Sequence, residues 1–239
     1  MSTAKASTGQ VAIVTGASRG IGLAIAEELA RLGCRVVLLA RHSQELEKAA
    51  ERVRRQGAEA TALACDVQSS TEVQATFAKI LAQFGRADVL VNNAGVGTFG
   101  SVHEIADADW DAVINTNLRG AFYCSKAVIP QMLRQRSGHI INIASLAGKN
   151  GFAGGSVYCA SKFGLLGLTY SMAEDLRAYG IRVSAICPGS VLTEFSPHAG
   201  KDPKRMLRPQ DVAGIVRFLV QQPEQSFVSE VLIRPTQKP

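Results

Sequence analysis

The chain alternates short apolar runs with amphipathic helical stretches, and this alternation limits the possible folds more than any other feature. The apolar runs have the length of strands and occupy residues 11–15, 35–40, 60–65, 88–93, 139–145, 181–187 and 227–233. They are apolar throughout rather than at every second residue, which is typical of strands buried on both faces. Successive strand–helix–strand units form right-handed crossovers and a parallel sheet covered on both sides. The sequence therefore predicts an α/β fold, a doubly wound parallel sheet of about seven strands with helices on both faces.

Glycines and polar caps predict where the helices begin and end. The first amphipathic stretch ends at Gly33, and the second begins with Ser43 as its N-cap and ends at Gly57. A longer helical region, about 107–136, contains Pro130, which we expect to kink the helix without ending it.

No linker or change of composition divides the 239 residues, so we expect a single domain over 1–239. Within it, we expect residues 1–9 to form a flexible tail. Residues 193–209 lack clear periodicity and carry prolines and a glycine, so we expect them to form a flap over a substrate.

Composition and charge argue against several classes of function. The net charge is +6, but the basic residues lie in separate short groups and aromatic residues are only 6% of the chain. A nucleic-acid groove needs a concentrated basic patch with stacking aromatics, so we expect no nucleic-acid partner. No uncharged apolar run reaches the roughly 18 residues of a membrane span.

Cysteine and histidine usage indicates the compartment and the metal content. The five cysteines are scattered over apolar stretches and the four histidines are isolated. Unpaired thiols of this kind indicate a reducing compartment, and the first ten residues lack the apolar core of a secretory signal. We therefore expect a cytoplasmic protein without a metal site.

A glycine-rich turn follows the first predicted strand and opens the first helix. In "TGASRGIG", Gly16, Gly20 and Gly22 let the backbone turn sharply and bring an anion close to the free N–H groups of the helix. Such turns also occur without ligands. Between a buried strand and a helix, however, this one favours a dinucleotide site in a sheet of Rossmann type.

The end of the second strand indicates which dinucleotide is bound. An acidic residue there binds the adenosine ribose 2′-hydroxyl, whereas an arginine accommodates a 2′-phosphate. The strand ends in Arg41, and no acid occurs before Glu45. With Arg19 in the glycine turn, two guanidinium groups favour NADP(H), unless both are ordinary surface arginines.

Tyr158 and Lys162 lie four residues apart in an apolar stretch, "VYCASKFG". On a helix this spacing places both side chains on one face. A nearby ammonium favours the ionised phenol, so we expect Lys162 to lower the pKa of Tyr158 and make it a usable acid. Taken alone, the pair could equally be a core tyrosine beside a lysine whose stem packs along it.

Seven short motifs in order resemble the short-chain dehydrogenase/reductase family from about residue 10 to residue 220. They are "TGASRGIG", "CDV", "NNAG", "NTNLRG", "IASLAG", "YCASK" and "PGSVLT". Each motif is weak alone, but together they carry the resemblance, which is nearest to the 3-oxoacyl-carrier-protein reductases. The resemblance assigns catalysis to Asn117, Ser145, Tyr158 and Lys162. It assigns cofactor binding to Gly16, Ser18, Arg19, Gly20, Ile21, Gly22, Arg41, Asp66, Val67, Asn93, Ala94, Gly95, Tyr158, Lys162, Pro188, Gly189, Val191 and Thr193.

The same resemblance implies hydride transfer between NADP(H) and a carbonyl carbon. Tyr158 would protonate the carbonyl oxygen, which Ser145 would hold by a hydrogen bond, and Lys162 would also bind the nicotinamide ribose. Asn117 would fix a water that links Lys162 to solvent, and Asp66 would bind the adenine amine. Alone, Ser145 could be a turn residue and Asn117 a backbone ligand.

The flap and the C-terminus leave the substrate and the assembly open. The apolar and basic side chains of the flap predict an open cleft that attracts 3-oxoacyl thioesters, carrier-linked substrates or β-keto esters. The alternatives are an alcohol or sugar dehydrogenase working oxidatively and a non-catalytic dinucleotide sensor. The helix at about 155–179 carries Gly164 and Gly167, and with the resemblance it implies a homo-oligomer, a dimer or a tetramer. The tail "VLIRPTQKP" departs from the family's glycine-rich ending. The flap side chains are Phe195, His198, Lys201, Lys204, Arg205, Met206, Leu207 and Arg208.

Overall fold

A single seven-stranded parallel sheet forms the centre of the fold in a computed structural model, which describes residues 8–195 and 202–239. The strands are β1 (Val11–Thr15), β2 (Arg35–Ala40), β3 (Ala60–Ala64), β4 (Val89–Asn92), β5 (Gly138–Ile143), β6 (Ile181–Pro188) and β7 (Glu230–Ile233). Their order is β3-β2-β1-β4-β5-β6-β7, and every neighbouring pair is parallel. The predicted doubly wound sheet is confirmed.

Seven α-helices cover the two faces of this sheet within the described residues. They are α1 (Gly20–Arg31), α2 (Ser43–Arg54), α3 (Ser70–Phe84), α4 (Asp107–Ile114), α5 (Gly120–Gln135), α6 (Ser156–Leu176) and α7 (Pro209–Val220). One apolar core joins α1, α2 and α7 to one face, and the other core joins α3, α5 and α6 to the opposite face. The sheet is therefore the middle of three layers, as its apolar strands require.

The strand order reverses between β1 and β4, and this reversal positions the site. The chain runs from β1 outward through β2 to β3 and then returns to place β4 on the other side of β1. The two connections leave β1 and β4 in opposite directions, which opens a crevice at their carboxyl ends. Open α/β sheets bind ligands in such crevices.

Most predicted boundaries agree with the structure, but the cap of α2 was wrong. Gly33 and Gly57 both have a φ of 84°, the left-handed backbone expected where a helix stops. Ser43, however, is the first residue of α2, and His42 holds the N-cap position without a side-chain cap. The last strand also begins at Glu230, three residues later than the apolar run suggested.

The long helical region departs from α geometry at a place the sequence did not indicate. Pro130 lies inside α5, which continues to Gln135, so the proline does not end the helix. Between α4 and α5, residues Asn115–Arg119 instead form a turn of π-helix. Such wide turns are rare and often lie at functional sites.

Candidate active site

The crevice at the carboxyl ends of the strands opens into a cavity of about 1190 Å³. This is more than the roughly 300–1000 Å³ of an ordinary small-molecule pocket, so it has room for a dinucleotide beside a substrate. Many predicted site residues line it: Gly16, Arg19, Gly20, Ile21, Asn93, Gly95, Ser145, Tyr158, Lys162, Pro188, Gly189, Val191 and Thr193. The other predicted residues, namely Ser18, Gly22, Arg41, Asp66, Val67, Ala94 and Asn117, are not part of this lining.

The glycine turn is held close to the loop after β4, and only glycine fits there. Gly16 has a φ of 63°, and a Cβ on it would lie 2.8 Å from the Cα of Ala94. Asn93 Nδ2 donates to the carbonyl oxygens of Thr15 (3.0 Å) and Gly16 (3.1 Å). Thr15 Oγ1 in turn accepts from the N–H groups of Asn93 and Ala94, both at 3.0 Å. These bonds fix the two loops that border the crevice.

The N-terminus of α1 borders the cavity, and the features of this helix end fit a phosphate group. Arg19 is the N-cap residue, the first turn of α1 contains no acidic residue, and Gly20 and Ile21 line the cavity. Free N–H groups and the helix dipole favour an anion at such an end. The residues present therefore fit a pyrophosphate, as the sequence predicted.

The residues predicted for the adenosine end lie at the same edge of the sheet, beyond the cavity lining. Arg41 directly follows β2, and Asp66 lies two residues after β3. The carboxylate of Asp66 accepts from the N–H of Gln68 at 3.0 Å, so one of its oxygens is already engaged. Arg19 is paired with Glu194 at 2.8 Å, and both side chains are exposed. Within the described residues Arg41 forms no salt bridge, whereas Arg19 is paired with Glu194.

Tyr158 and Lys162 lie on the first two turns of α6, and Ser145 lies two residues after β5; all three line the cavity. Ser145 lies close enough to Tyr158 for its hydroxyl to lower the pKa of the phenol. Lys162 Nζ donates to the carbonyl oxygen of Ile143 at 2.8 Å and lies 5.7 Å from the centre of the Tyr158 ring. The structure thus brings together the acid, the oxygen ligand and the cation that the sequence proposed.

Burial, rather than the lysine, dominates the acid–base properties of this group. Burial raises the pKa of Tyr158 to about 12, against a smaller lowering effect of the Ser145 hydrogen bond. Burial also lowers the pKa of Lys162 to about 8. The expected net lowering of the Tyr158 pKa by Lys162 is therefore wrong in direction for this structure, because desolvation disfavours the phenolate by more than the neighbouring groups favour it.

Asn117 sits in the π-helical turn and is buried, and its amide is fully engaged with the protein. Its Oδ1 accepts from the N–H of Val96 at 2.8 Å, and its Nδ2 donates to the Val96 carbonyl (2.9 Å) and to Ser161 Oγ (3.0 Å). The side chain thus ties the loop after β4 to α6, the helix of Tyr158. The expected ordering of a water by Asn117 beside Lys162 stays a prediction. The amide of Asn117 is already hydrogen-bonded to Val96 and Ser161.

The flap residues do not all face the cleft. Met206 and Leu207 are buried, and Leu207 pairs with the segment after β6 through bonds to Ser190 and Leu192. Neither residue lines the cavity, so the apolar area expected of them in the flap is not presented to it. His198 and Lys201 lie outside the described residues, as does most of the predicted tail, 1–9. The exposed side chains of Lys204, Arg205 and Arg208 do not line the cavity.

The C-terminal tail, which departs from the family pattern, packs against the same loop. The N–H of Gly189 donates to the carbonyl oxygen of Ile233 at 2.8 Å. A Cβ on Gly189 would lie 3.0 Å from Pro235. The unusual ending therefore supports the segment predicted to hold the nicotinamide.

Three phenylalanines, Phe99, Phe152 and Phe195, line the cavity near Tyr158. The sequence had indicated only Phe195. Phe99 and Phe152 were missed because they lie in loops without periodicity. Their signal in the sequence is a large aromatic residue flanked by glycines, in "GTFG" and "NGFAGG".

The described chain contains neither a cluster of metal ligands nor a membrane-spanning helix. In residues 8–195 and 202–239, no group of three or more His, Cys, Asp or Glu side chains is placed to hold a metal ion. None of the helices in these two ranges has the length and apolar character that a membrane span requires.

Comparison with known proteins identifies the family. A sequence model described as short chain dehydrogenase matches residues 10–204. The chain is 40% identical over 230 residues to the 3-oxoacyl-[acyl-carrier-protein] reductase of Synechocystis sp., covering 93% of each protein. The protein belongs to the short-chain dehydrogenase family. It is an oxidoreductase with the fold and cleft of that family, and the resemblance predicted from its motifs is confirmed.

Solved structures agree with this assignment. A metagenomic short-chain oxidoreductase in complex with NADP is 46% identical, with a TM-score of 0.87, over 98% of this chain and all of that one. An alcohol dehydrogenase from the archaeon Thermococcus sibiricus, complexed with 5-hydroxy-NADP, is 32% identical, with a TM-score of 0.88. The match covers 96% of this chain and 98% of the archaeal one.

Proposed function

We propose that this protein is an NADPH-dependent reductase that converts the 3-carbonyl group of 3-oxoacyl thioesters or similar β-keto esters to a hydroxyl group. The observation that carries the proposal is the wall formed by Ser145, Tyr158 and Lys162, which faces the glycine turn across one cavity. A non-catalytic sensor has no need of this acid, its oxygen ligand and its buried cation together. The curated relative named above is a reductase of this class.

NADP(H) is the cofactor that the chain's own residues favour. The glycine turn and the N-terminus of α1 would hold the pyrophosphate, Arg41 the 2′-phosphate, and the loop after β6 the nicotinamide. Arg41 follows β2 where NAD-binding proteins carry an acid. The two structural relatives hold NADP or a derivative of it.

Bound NADPH supplies the hydride that the carbonyl carbon accepts. Ser145 Oγ donates a hydrogen bond to the carbonyl oxygen, and the Tyr158 hydroxyl transfers its proton to that oxygen as negative charge develops. A pKa of about 12 keeps Tyr158 protonated, and so able to donate, throughout the physiological range. Lys162, 5.7 Å from the Tyr158 ring, stabilises the phenolate that remains until it regains a proton.

The direct test is reduction of acetoacetyl-coenzyme A and ethyl 3-oxobutanoate by the purified protein, followed by loss of NADPH absorbance. We expect turnover with NADPH and a lower kcat/KM with NADH. The Arg41→Asp variant should lose or reverse the preference for NADPH. The control is Arg55→Asp, an exposed arginine at the end of α2, which should leave the preference unchanged.

Two other outcomes would replace the proposal. Efficient oxidation of sugars or secondary alcohols with NADP⁺, with no reduction of either keto substrate, would establish the oxidative dehydrogenase. Tight NADPH binding with no turnover in either direction would establish the sensor.

Assembly as a homo-oligomer is supported by apolar side chains on one side of the molecule. Three aromatic side chains are 40–49% exposed: Phe122 on α5, and both Phe163 and Tyr170 on α6. A symmetric contact between copies would bury them. Light scattering should give a mass above the 25.4 kDa of one chain, and Phe163→Glu should lower it. A single-chain mass for the unmodified protein would contradict the assembly.

Domain organisation and location complete the proposal. One sheet shared by both apolar cores supports a single domain over 1–239, which predicts one cooperative unfolding transition. All five cysteines lie within the described residues as buried thiols that form no disulfide, which supports a reducing compartment such as the cytoplasm.

A further inference from the structure

The substrate end of the cavity is built from phenylalanine rings that come from three separate loops. Phe99 follows β4, Phe152 precedes α6 and Phe195 follows β6. Phe99 and Phe195 each lie beside Tyr158, with ring centres 5.6 Å and 5.7 Å from its own. Phe152 continues the cluster 6.2 Å from Phe99. All three line the cavity that holds the catalytic hydroxyl.

All three rings are substantially exposed. Phe99 is 38% exposed, Phe152 51% and Phe195 41%. Exposed apolar side chains that converge on one concave site mark a binding surface, whereas scattered ones do not. Here the surface surrounds the residue that transfers the proton, so an apolar group bound to it would be attached close to the reacting carbonyl.

Glycines hold the rings at the border of the cleft. A Cβ on Gly97 would lie 3.0 Å from the Phe99 ring and 3.2 Å from the Phe195 ring, so both rings pack against this backbone. A Cβ on Gly155 would lie 2.5 Å from the ring of Phe152. The rings are therefore seated against backbone and have fixed positions.

The charges around the cavity do not favour a polar or anionic group at this end. Among its described lining residues, only Arg19, Lys162 and Glu194 are charged. Arg19 and Glu194 pair with each other, and Lys162 is buried beneath Tyr158. The described basic side chains of the flap, Lys204, Arg205 and Arg208, lie outside this lining.

The mutual tilt of the rings favours a flat occupant. The planes of Phe99 and Phe195 are inclined to that of Tyr158 by 57° and 53°. Aromatic rings attract one another in tilted or offset arrangements, in which the edge of one faces the plane of another. A planar aromatic group bound against these rings could pack in the same tilted or offset arrangement, whereas a flexible linear chain would gain only apolar burial.

We propose that Phe99, Phe152 and Phe195 form an aromatic pocket that selects 3-oxo esters and ketones with a phenyl-sized planar group on the reacting carbonyl carbon. This inference rests on the reductase function proposed above and names its preferred substrate class.

The test compares three esters that differ only in the group on the reacting carbonyl: ethyl 3-oxobutanoate (methyl), ethyl 3-oxohexanoate (propyl) and ethyl 3-oxo-3-phenylpropanoate (phenyl). The measured quantity is the phenyl-to-methyl ratio of kcat/KM, compared between the unmodified protein and each variant. Intrinsic reactivity of the esters cancels in that comparison. Replacing one ring by alanine, as in Phe99→Ala or Phe195→Ala, should lower the ratio by about 2- to 10-fold, the worth of one aromatic contact.

Two further variants separate shape from general hydrophobicity. Phe195→Leu keeps an apolar side chain but loses the flat ring, so its ratio should fall between those of the unmodified protein and Phe195→Ala. Phe218→Ala removes an equally exposed ring on α7, which does not line the cavity, and should leave the ratio unchanged. A phenyl-to-methyl ratio in Phe195→Leu equal to that of the unmodified protein would overturn the preference for a planar group.

Binding provides a second readout that does not depend on turnover. Benzamide has a phenyl group on a carbonyl that does not accept hydride, and acetamide is its methyl counterpart. Calorimetry with the NADP⁺-loaded protein should show that Phe99→Ala weakens benzamide binding by about 2- to 10-fold. Unchanged benzamide affinity beside slower turnover would show that the rings act on Tyr158 rather than on the substrate, which would overturn the pocket.

The failure of this inference is distinguishable from failure of the proposed function. Reduction of none of the three esters would reject the reductase. Reduction of the methyl or propyl ester with a ratio that the phenylalanine variants do not change would keep the reductase and reject the aromatic pocket.

Discussion

The buried charge of Lys162 should destabilise the fold by an amount that depends on pH. The side chain is 5% exposed, and burial lowers its pKa from 10.5 to about 8. Because the folded pKa lies below the unfolded one, the unfolded chain binds the proton more tightly. The penalty is fully present below pH 8 and is relieved as the pH rises from 8 towards 10.5.

The size of this penalty follows from the two pKa values. The fall from 10.5 to about 8 corresponds to about 3 kcal/mol at pH 7, of which about 1 kcal/mol remains at pH 9.5. The unmodified protein should therefore gain about 2 kcal/mol between these pH values relative to a variant without the charge. Lys162→Met is such a variant, with a side chain of similar length.

The variant also loses a hydrogen bond, which decides its stability at neutral pH. Lys162 Nζ donates to the Ile143 carbonyl at 2.8 Å. Loss of a bond to a charged group costs about 1.5–3 kcal/mol, so Lys162→Met should be equal to the unmodified protein or up to about 2 kcal/mol more stable at pH 7. The two proteins should converge, or exchange order, at pH 9.5.

Urea unfolding of both proteins at the two pH values measures this difference, and groups that titrate in both proteins cancel. Lys48→Met, which changes an exposed lysine on α2, is the matched control and should show no pH-dependent difference. A gap between Lys162→Met and the unmodified protein that stays constant from pH 7 to 9.5 would refute the argument that burial governs this lysine.

Three further predictions concern the acid, the cofactor turn and the ion pair across the cleft. Tyr158→Phe should lower kcat by about 10²- to 10⁴-fold while NADPH binding, measured by fluorescence, persists; near-normal turnover would place the proton donor elsewhere. Gly22→Ala would place a Cβ 2.5 Å from Asn93 Nδ2. It should therefore destabilise the fold by about 1–3 kcal/mol, lower the melting temperature and weaken NADPH binding. Gly214→Ala, a helical site with no atom within 4 Å of the added Cβ, is its control and should be neutral or stabilising. Glu194→Gln should tighten NADPH binding by up to about fivefold at low salt and leave NADH unchanged, because it releases Arg19 from an exposed pair; equal effects on both cofactors would show that Arg19 does not contact the 2′-phosphate.

Local signals predicted the fold and much of the site, because strands and glycine turns are written in neighbouring residues. The runs at β1 and β2 matched residue for residue, and the positive φ of Gly33 followed from its place after an amphipathic stretch. The α2 prediction failed because His42, not Ser43, has the extended backbone of the N-cap position, and nothing in the sequence separates the two positions.

Properties that depend on burial could not be predicted in the same way. The spacing of Tyr158 and Lys162 placed them on one face, but the direction of the Tyr158 pKa shift depends on how much apolar material surrounds the hydroxyl. That material includes Phe99 and Phe195, which come from loops 96 residues apart in the chain and meet only because β4 and β6 end at the same edge of the sheet. No pattern in the sequence connects those loops.

The same burial that destabilises Lys162 makes it effective in reduction. At the 5.7 Å that separates its ammonium from the Tyr158 ring, attraction for a full negative charge is roughly 3 kcal/mol with an effective dielectric constant of about 20, or about 100-fold in rate. This gain arises only when the phenol has given up its proton, so it lowers the energy of the transition state and leaves substrate binding unaffected. It is similar in size to the penalty of about 3 kcal/mol that the folded protein bears at pH 7. Lys162→Met should therefore be at least as stable as the unmodified protein and about 100-fold slower, because the protein maintains in its resting fold the charge that the reaction uses later.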